Sequence, residues 1–495
     1  MAHFSRWAPV AGGILASLPI SDALKGRKSL RCEAKQSLPV VVLGGGVMGL
    51  STAWSLCRRG VKVELLDANH SEKGSWGETR IARVSYADPV MLRLARRSYE
   101  LYEELKKEHR EPLMCPTGCL DVGFDRRSLD GLAKTYEELG QSYERLSHRQ
   151  VAERWPMLRL SDDYVEASVF CPAGDAVLAS VVLEALKEQV QQLGGPAAYV
   201  ESPVVSIDRA KKTVTTEDGK TIAYSKLVLA GGIWSNQILS LMGLPLLPLV
   251  TSVEQQTYYA TPEGTEELFS AGKLPVVLEH NPSPEPEMKR RGGYMIPHVS
   301  NGVDGVKFGM HRQGPLMDHE DFPMVPGAFA AAQRYFACAG TRAERLWSQR
   351  WPEEEDSHLR EETDAFARRI LPDLSIDAWD RTDAVGGPRM DAFSHCVLCA
   401  KEGCFHEVDF FQGEKSELTM RCPYDQHLYA DEDFVVGVHP EDPDIIVVCG
   451  FAGEGFKFGP AIGEMAATLV TGDSFAVPES VQRFRLNRPS LLLLS

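Results

Sequence analysis

The chain has no basic surplus. Its 53 lysines and arginines face 69 aspartates and glutamates, a formal net charge of −16. That balance argues against a polyanion such as nucleic acid as a partner. Nor does any apolar run reach the roughly 18 residues that a membrane-crossing helix requires. The eleven cysteines are odd in number and scattered through 495 residues. They suit free thiols in a reducing compartment better than a secreted disulfide framework. No internal repeat is visible. With 43% hydrophobic and 25% charged residues, the composition is that of an ordinary globular protein. The length allows two domains and a large core.

The first 36 residues read as a separate targeting or disordered extension. No acid precedes Asp22, whereas Arg6, Lys25, Arg27, Lys28, Arg31 and Lys35 are basic, and a short apolar stretch runs from Ala8 to Ile20. An organelle transit peptide, a secretory signal and a disordered tail all have this form. The chain ends Ser490-Leu-Leu-Leu-Leu-Ser495, which is not the peroxisomal Ser-Lys-Leu form. The expected location is an organelle: mitochondrion, plastid or peroxisome.

Two glycine-rich signatures stand about 400 residues apart. The first is Leu38-Pro-Val-Val-Val-Leu-Gly-Gly-Gly-Val-Met-Gly49. Residues 40 to 43 predict a parallel strand buried on both faces. Gly44, Gly46 and Gly49 then fit G-x-G-x-x-G: a tight turn, a close approach of backbone to a pyrophosphate, and close packing of helix on strand. The following helix, roughly Met48 to Arg59, turns its positive N-terminus toward the phosphates. A second strand ends at Asp67, whose carboxylate can accept hydrogen bonds from an adenosine ribose. Strand, glycine turn, helix and acid in this order make a dinucleotide cradle. The second signature is Gly450-Phe-Ala-Gly-Glu-Gly-Phe-Lys-Phe458.

Between them, residues 85 to 110 predict an amphipathic helix with Leu94, Leu101, Tyr102 and Leu105 on one face. Val181 to Leu193 predicts another, stopped by Gly194-Gly195. Strands are expected over 203 to 229, with a turn at Asp218-Gly219, and the strand from Lys226 to Ala230 runs into Gly231-Gly232. Residues 250 to 312 alternate like strands, and 327 to 350 predict helix. Strands at Val435–Val438 and Ile445–Val448 lead into the second glycine loop, and a helix from about Pro460 to Val470 follows. The cradle and the C-terminal loop thus belong to one sheet. The expected class is α/β: a Rossmann-like domain with an interleaved, mostly antiparallel domain.

From residue 38 to about 488 the chain resembles the monomeric sarcosine oxidase and L-pipecolate oxidase family, FAD enzymes of the D-amino-acid-oxidase structural type. Several separated motifs carry the resemblance in order. Gly77-Glu-Thr-Arg-Ile-Ala-Arg83 resembles a Gly-Asp-Thr-Arg-Ile-Ile-Arg segment, and Ala230-Gly-Gly-Ile-Trp-Ser-Asn-Gln237 resembles the second flavin-domain turn. Tyr294-Met-Ile-Pro297 and Val306-Lys-Phe-Gly-Met-His311 are similar to the substrate-side strand pair. Arg421-Cys-Pro-Tyr424 resembles a Cys-Met-Tyr segment, and Gly450 to Phe458 resembles a Gly-Phe-Ser-Gly-His-Gly-Phe-Lys-Phe loop. Phe484-Arg-Leu-Asn-Arg-Pro489 is similar to the family's tail.

The resemblance implies a discontinuous FAD domain (37–84, 165–250 and 434–488) and a substrate domain (85–164 and 251–433). It implies oxidation of the C–N bond of a secondary amino acid such as sarcosine, L-pipecolate or L-proline, giving an imine, with dioxygen reduced to hydrogen peroxide. A monomer is expected. Arg83 and Lys457 are expected to clamp the substrate carboxylate, with Tyr294 and Tyr424 bordering the substrate and His311 near its amine. Lys307 is expected beside the flavin as a buried cation that eases oxygen reduction. FAD contacts are expected from Val47, Met48, Ser75, Thr79, Arg80, Val204, Gly231, Trp234, Gly453, Glu454, Gly455 and Phe456, besides Lys457 and the cradle residues. Cys422 matches the cysteine that carries flavin covalently.

Three departures stand against the resemblance. Glu454 replaces a histidine; its carboxylate is expected to repel the substrate's, to pair with a cation such as Lys457, or to favour a substrate with an extra positive group. Asp425 replaces a threonine beside Tyr424. An insertion over about 383 to 420 holds Cys396, Cys399, Cys404 and His406, four groups able to ligate zinc; a surface loop is the other reading. Cys115 and Cys119 flank a Thr-Gly turn and are expected to be structural. Two further readings stay open: an oxidase or dehydrogenase of a larger amine (saccharopine, N-methyltryptophan or glycated amino acid type), and a tRNA- or protein-modifying flavoprotein or non-catalytic flavin-bound scaffold.

Overall fold

The valine run Val40–Leu43 is a strand with every residue buried, and its alternation sends two layers of core to opposite faces. Val40 and Val42 pack with the helices Val47–Arg58, Ala179–Gly194 and Gly459–Thr471. Val41 and Leu43 pack with Ile207, Val214 and Ile222 of a three-stranded antiparallel sheet and with the helix Ser235–Leu241. A strand covered on both faces can be apolar throughout, which is how these four residues read. The computed structural model describes residues 37–69, 74–75, 77–247, 249–254, 256–262, 264–280, 292–299, 305–311, 316–317, 357–372, 374, 393–398 and 433–488.

The six strands of this sheet run Val435–His439, Asp442–Cys449, Lys226–Leu229, Val40–Leu43, Val63–Asp67, Tyr199–Glu201. All pairs are parallel except the antiparallel edge strand Val435–His439. Val40 lies opposite both Val63 and Lys226, and Leu227 opposite Ile445. The two glycine signatures therefore leave the same end of one sheet, from strands separated only by Lys226–Leu229. The helix after each signature packs on the other: a side chain at Gly463 would overlap the backbone of Ser51.

The second large sheet has seven strands, in the order Gln256–Tyr259, Val306–Met310, Gly293–Ile296, Val276–His280, Cys119–Gly123, Ser168–Cys171, Glu144–Leu146. It is antiparallel apart from the pairing of Val276–His280 with Cys119–Gly123. One face holds Phe308, Met295, Val277 and Leu120 against Phe366 of the helix Ser357–Ile370. The period of two places Lys307, Tyr294 and Asp121 on the opposite face. The expected α/β class with an antiparallel second sheet is what the chain folds into.

The long helix is Pro89–Glu108, capped by the Asp88 carboxylate, which accepts from the Val90 and Met91 amides. Its expected face of Leu94, Leu101, Tyr102 and Leu105 is buried. The same face also holds the C-terminal loop: Ser98 Oγ donates to the Lys457 carbonyl at 2.5 Å and Tyr102 Oη to the Phe456 carbonyl at 3.0 Å. The expected helix over 327 to 350 lies outside the described residues, as does most of the 383–420 insertion. Of the four possible zinc ligands there, only Cys396 has a described backbone, in the strand Phe393–Leu398.

Candidate active site

A cavity of about 560 Å³ runs from the cradle to the upper face of the seven-stranded sheet. Its size and mixed lining suit a small-molecule or cofactor site. At the cradle end, Gly44 adopts φ +110°, and a side chain there would overlap the Ala230 carbonyl. A side chain at Gly49 would overlap the Gly44 carbonyl. These two positions bring strand, turn and helix closer than a Cβ allows. Gly46, the N-cap of the helix Val47–Arg58, supplies no side-chain cap. Ser75 Oγ accepts from the Val47 amide at 3.0 Å, while Val47 and Met48 line the cavity. This is a helix N-terminus of the kind that binds phosphate.

Asp67 ends its strand at the cavity, 5% exposed. Tyr199 Oη donates to its Oδ2 at 2.9 Å and the Asn69 amide to its Oδ1 at 3.2 Å, so the carboxylate is fixed in place. Thr79, 3% exposed on the cavity wall, has a hydroxyl without a hydrogen-bond partner among the described residues. An orphaned buried hydroxyl beside a phosphate-type helix terminus and a strand-end acid is a donor set that fits a dinucleotide. Arg80 Nη1 donates to the Thr79 carbonyl at 2.7 Å, and the guanidinium lies 5.7 Å from the centre of the Phe456 ring. Val204, Gly231 and Trp234 line the same part of the cavity, and so do Gly453, Gly455 and Phe456 from the C-terminal loop.

The cavity lining is also rich in charge. Lys307, 2% exposed, points its ammonium at the Thr79 carbonyl, 3.1 Å away. Tyr294 Oη accepts from Gln256 Nε2 at 2.7 Å. Arg83 lies on the strand Thr79–Arg83, with its guanidinium 4.1 Å from the centre of the Tyr86 ring. The Lys457 ammonium is 5.9 Å from that same ring. Burial opposes the charge on Arg83, but Tyr86, Glu454, Cys119 and Asp121 outweigh it and hold its pKa above the ordinary arginine value. Burial drives the Tyr86 hydroxyl well above the usual tyrosine range.

Glu454 does pair with a cation, and that cation is Arg83. Lys457 Nζ donates to the main-chain carbonyl of Glu454 at 3.0 Å, whereas the carboxylate faces Arg83 at 3.5 Å and His311 Nε2 at 3.9 Å. The turn Phe456–Phe458 folds the lysine back on its own loop, leaving the glutamate side chain to meet a residue 371 positions away.

Every expected site residue within the described part lines the cavity except Gly49, which packs behind its wall. Cys422, Tyr424 and Asp425 lie outside the described residues. Two cavity residues, Gln256 and His280, gave no signal in the sequence, nor did two residues that contact the lining, Tyr86 beside Arg83 and Asp121 at His280. Tyr86 was within reach, as an aromatic three residues after Arg83. Asp121 and His280 were not: their 2.7 Å contact joins strands 159 residues apart.

The comparisons agree with this geometry. Residues 39–399 match the model of the DAO family, FAD dependent oxidoreductase. Monomeric sarcosine oxidase of Bacillus sp. (strain B-0618) is 25% identical over 464 residues, covering 91% of this chain and 96% of that protein. N-methyl-L-tryptophan oxidase of Yersinia pestis (strain Pestoides F) is 25% identical over 439 residues, covering 86% and 93%. Among solved structures, L-proline dehydrogenase from P. horikoshii superposes with a TM-score of 0.63 at 18% identity, covering 91% of this chain and 96% of that one. The chain belongs to the DAO family of FAD dependent oxidoreductases, and FAD is its cofactor.

Proposed function

We propose that this chain oxidises the C–N bond of a secondary amino acid of the sarcosine, L-pipecolate or L-proline type to an imine, with dioxygen as acceptor and hydrogen peroxide as product. The observation that carries the reading is that Lys307, Arg83 and Lys457 line one cavity, Arg83 and Lys457 meeting at the Tyr86 ring. Bound FAD supplies the two-electron redox chemistry. Arg83 and Lys457, which share the Tyr86 ring, hold and orient the substrate carboxylate. Tyr294, fixed by Gln256, borders the substrate, and His311 stands at its amine. Lys307 holds a positive charge in a dry site, where oxygen reduction builds negative charge. The turn Phe456–Phe458, tied to the long helix by Ser98 and Tyr102, closes the site against water.

The test is anaerobic bleaching of the flavin band near about 450 nm on adding sarcosine, L-pipecolate or L-proline in turn. Bleaching by one of them, with colour and peroxide appearing when air is readmitted, supports both substrate class and acceptor. Full flavin content with no bleaching by any of the three removes this substrate class.

A further inference from the structure

We propose that His280, oriented by the buried carboxylate of Asp121, is a catalytic base that takes a proton from the substrate's ammonium group. This rests on the amine-oxidising reading above and gives a duty to two residues that it leaves idle. Asp121, in the strand Cys119–Gly123, is fully buried. A carboxylate so placed is costly unless its oxygens are satisfied. Ser85 Oγ donates to Oδ2 at 2.5 Å, and His280 Nε2 donates to Oδ1 at 2.7 Å. The second bond fixes the ring's orientation and puts the proton of the neutral imidazole on Nε2. Nδ1 is then the acceptor. It has no hydrogen-bond partner among the described residues, and the side chain is 27% exposed.

The sheet brings this ring to the substrate. Leu278 lies opposite Tyr294, and His280 follows two residues later on the same face. His280 and Tyr294 are therefore diagonal neighbours, with backbones about 7–8 Å apart, and both line the cavity. An amine bordered by Tyr294 is within reach of His280, directly or through one water. Among the described residues, Asp121 is the charged group within ion-pair distance of the ring. Glu279, the preceding residue, points to the other face, where Arg369 and Tyr164 bind it. From the helix Arg126–Glu138 the cavity-lining residue is Ser128, whose amide is held by the Asp125 carboxylate. The other histidine of the lining, His311, has its Nε2 3.9 Å from Glu454, a carboxylate that Arg83 also faces.

The step is a proton transfer. A secondary amino acid arrives largely as its ammonium form, whose nitrogen has no lone pair to support loss of hydride from the neighbouring carbon. The N–H bond breaks, a new N–H bond forms at Nδ1, and the electron pair stays on the substrate nitrogen. The neutral amine then gives the C–H hydrogen with its electron pair to bound FAD and becomes the protonated imine. Arg83, Lys457 and Lys307 line the same cavity and disfavour a further positive charge on the substrate, so a base as weak as imidazole suffices. The histidinium so formed is stabilised by Asp121, and its exposed edge releases the proton to solvent.

The experiment follows anaerobic flavin bleaching by stopped flow with sarcosine, L-pipecolate and L-proline from pH 7 to 10, in wild type and H280Q. Glutamine keeps a donor for Asp121 but takes no proton. We expect H280Q to keep its FAD and to bleach about 100-fold more slowly at pH 7. The gap should close toward pH 10, where the amine loses its proton unaided. H280A should be as slow at pH 7 and regain at least about tenfold on adding imidazole; this rescue decides the matter where H280Q does not hold FAD. Equal rates at pH 7, a gap of the same size at every pH, or no rescue by imidazole overturns the proposal and leaves the amine-oxidising reading standing. Wild type that holds FAD and is bleached by none of the three overturns both.

Discussion

Replacing Lys307 by methionine separates two duties that one cavity performs. Met has nearly the length and volume of the lysine stem but no charge. Lys307 is 2% exposed and its ammonium makes a 3.1 Å hydrogen bond to the Thr79 carbonyl. Removing that bond costs about 1 kcal/mol, and removing the burden of a buried charge offsets part of it. The melting midpoint should therefore move by about 3 °C or less. The kinetic effect should be far larger on one half-reaction. A preorganised positive group lost from a site of developing negative charge typically lowers a rate about 100- to 1,000-fold, about 3–4 kcal/mol of barrier. On the proposed roles, Arg83 and Lys457 bind the substrate, so flavin reduction should change less than about fivefold. Stopped-flow mixing reads the two steps separately: oxidised enzyme with substrate under anaerobic conditions, then reduced enzyme with oxygenated buffer. Unchanged reoxidation refutes the assignment of Lys307 to oxygen. An equal loss in both steps places the lysine at the substrate instead.

Gly49→Ala should weaken FAD retention at least about tenfold, because the added methyl overlaps the Gly44 carbonyl and must lift the helix Val47–Arg58 off its strand; a normal ratio of flavin to protein absorbance after gel filtration would contradict this. Ser98→Ala and Tyr102→Phe each remove one buried bond to the C-terminal turn. Each should cost about 1 kcal/mol and speed amide exchange over 456 to 458, and unaltered exchange there would count against the long helix as the turn's anchor. Asp175 is pushed up to about 6 by burial, against the hydrogen bond from Tyr99. Its folded pKa is above the unfolded value, so its contribution is fully present below about pH 4 and is lost as pH rises through about 6. Asp175→Asn should remove this dependence and raise stability at pH 7 by about 1–3 kcal/mol, measured by urea unfolding across that range.

Much of the fold was legible because its signals are local. Val40–Leu43 can be uniformly apolar only when both faces are covered, and Gly44 with Gly49 marks the one turn that brings a helix so close to a strand. The face of Leu94, Leu101, Tyr102 and Leu105 follows from a period of 3.6 residues. The site was legible for a different reason. Its residues stand in runs such as Gly77 to Arg83 and Gly450 to Phe458, whose order matches a family pattern even though the runs meet only in space.

What stayed hidden is how charges divide among partners. A motif read in register assigns Arg83 and Lys457 one at a time, each as a free cation awaiting a substrate. Charge is not local in that way. Whether Arg83 is available depends on Glu454, 371 residues on, and on Asp121, which reaches it through Ser85 from the neighbouring sheet. Nothing in either local sequence records that meeting, since an acid in a glycine loop and an acid in a buried strand look alike whether or not they share an arginine. The same substitution therefore has two effects that the linear pattern shows as one. It removes the family's histidine from the loop, and it changes the charge that the arginine presents to whatever enters the cavity.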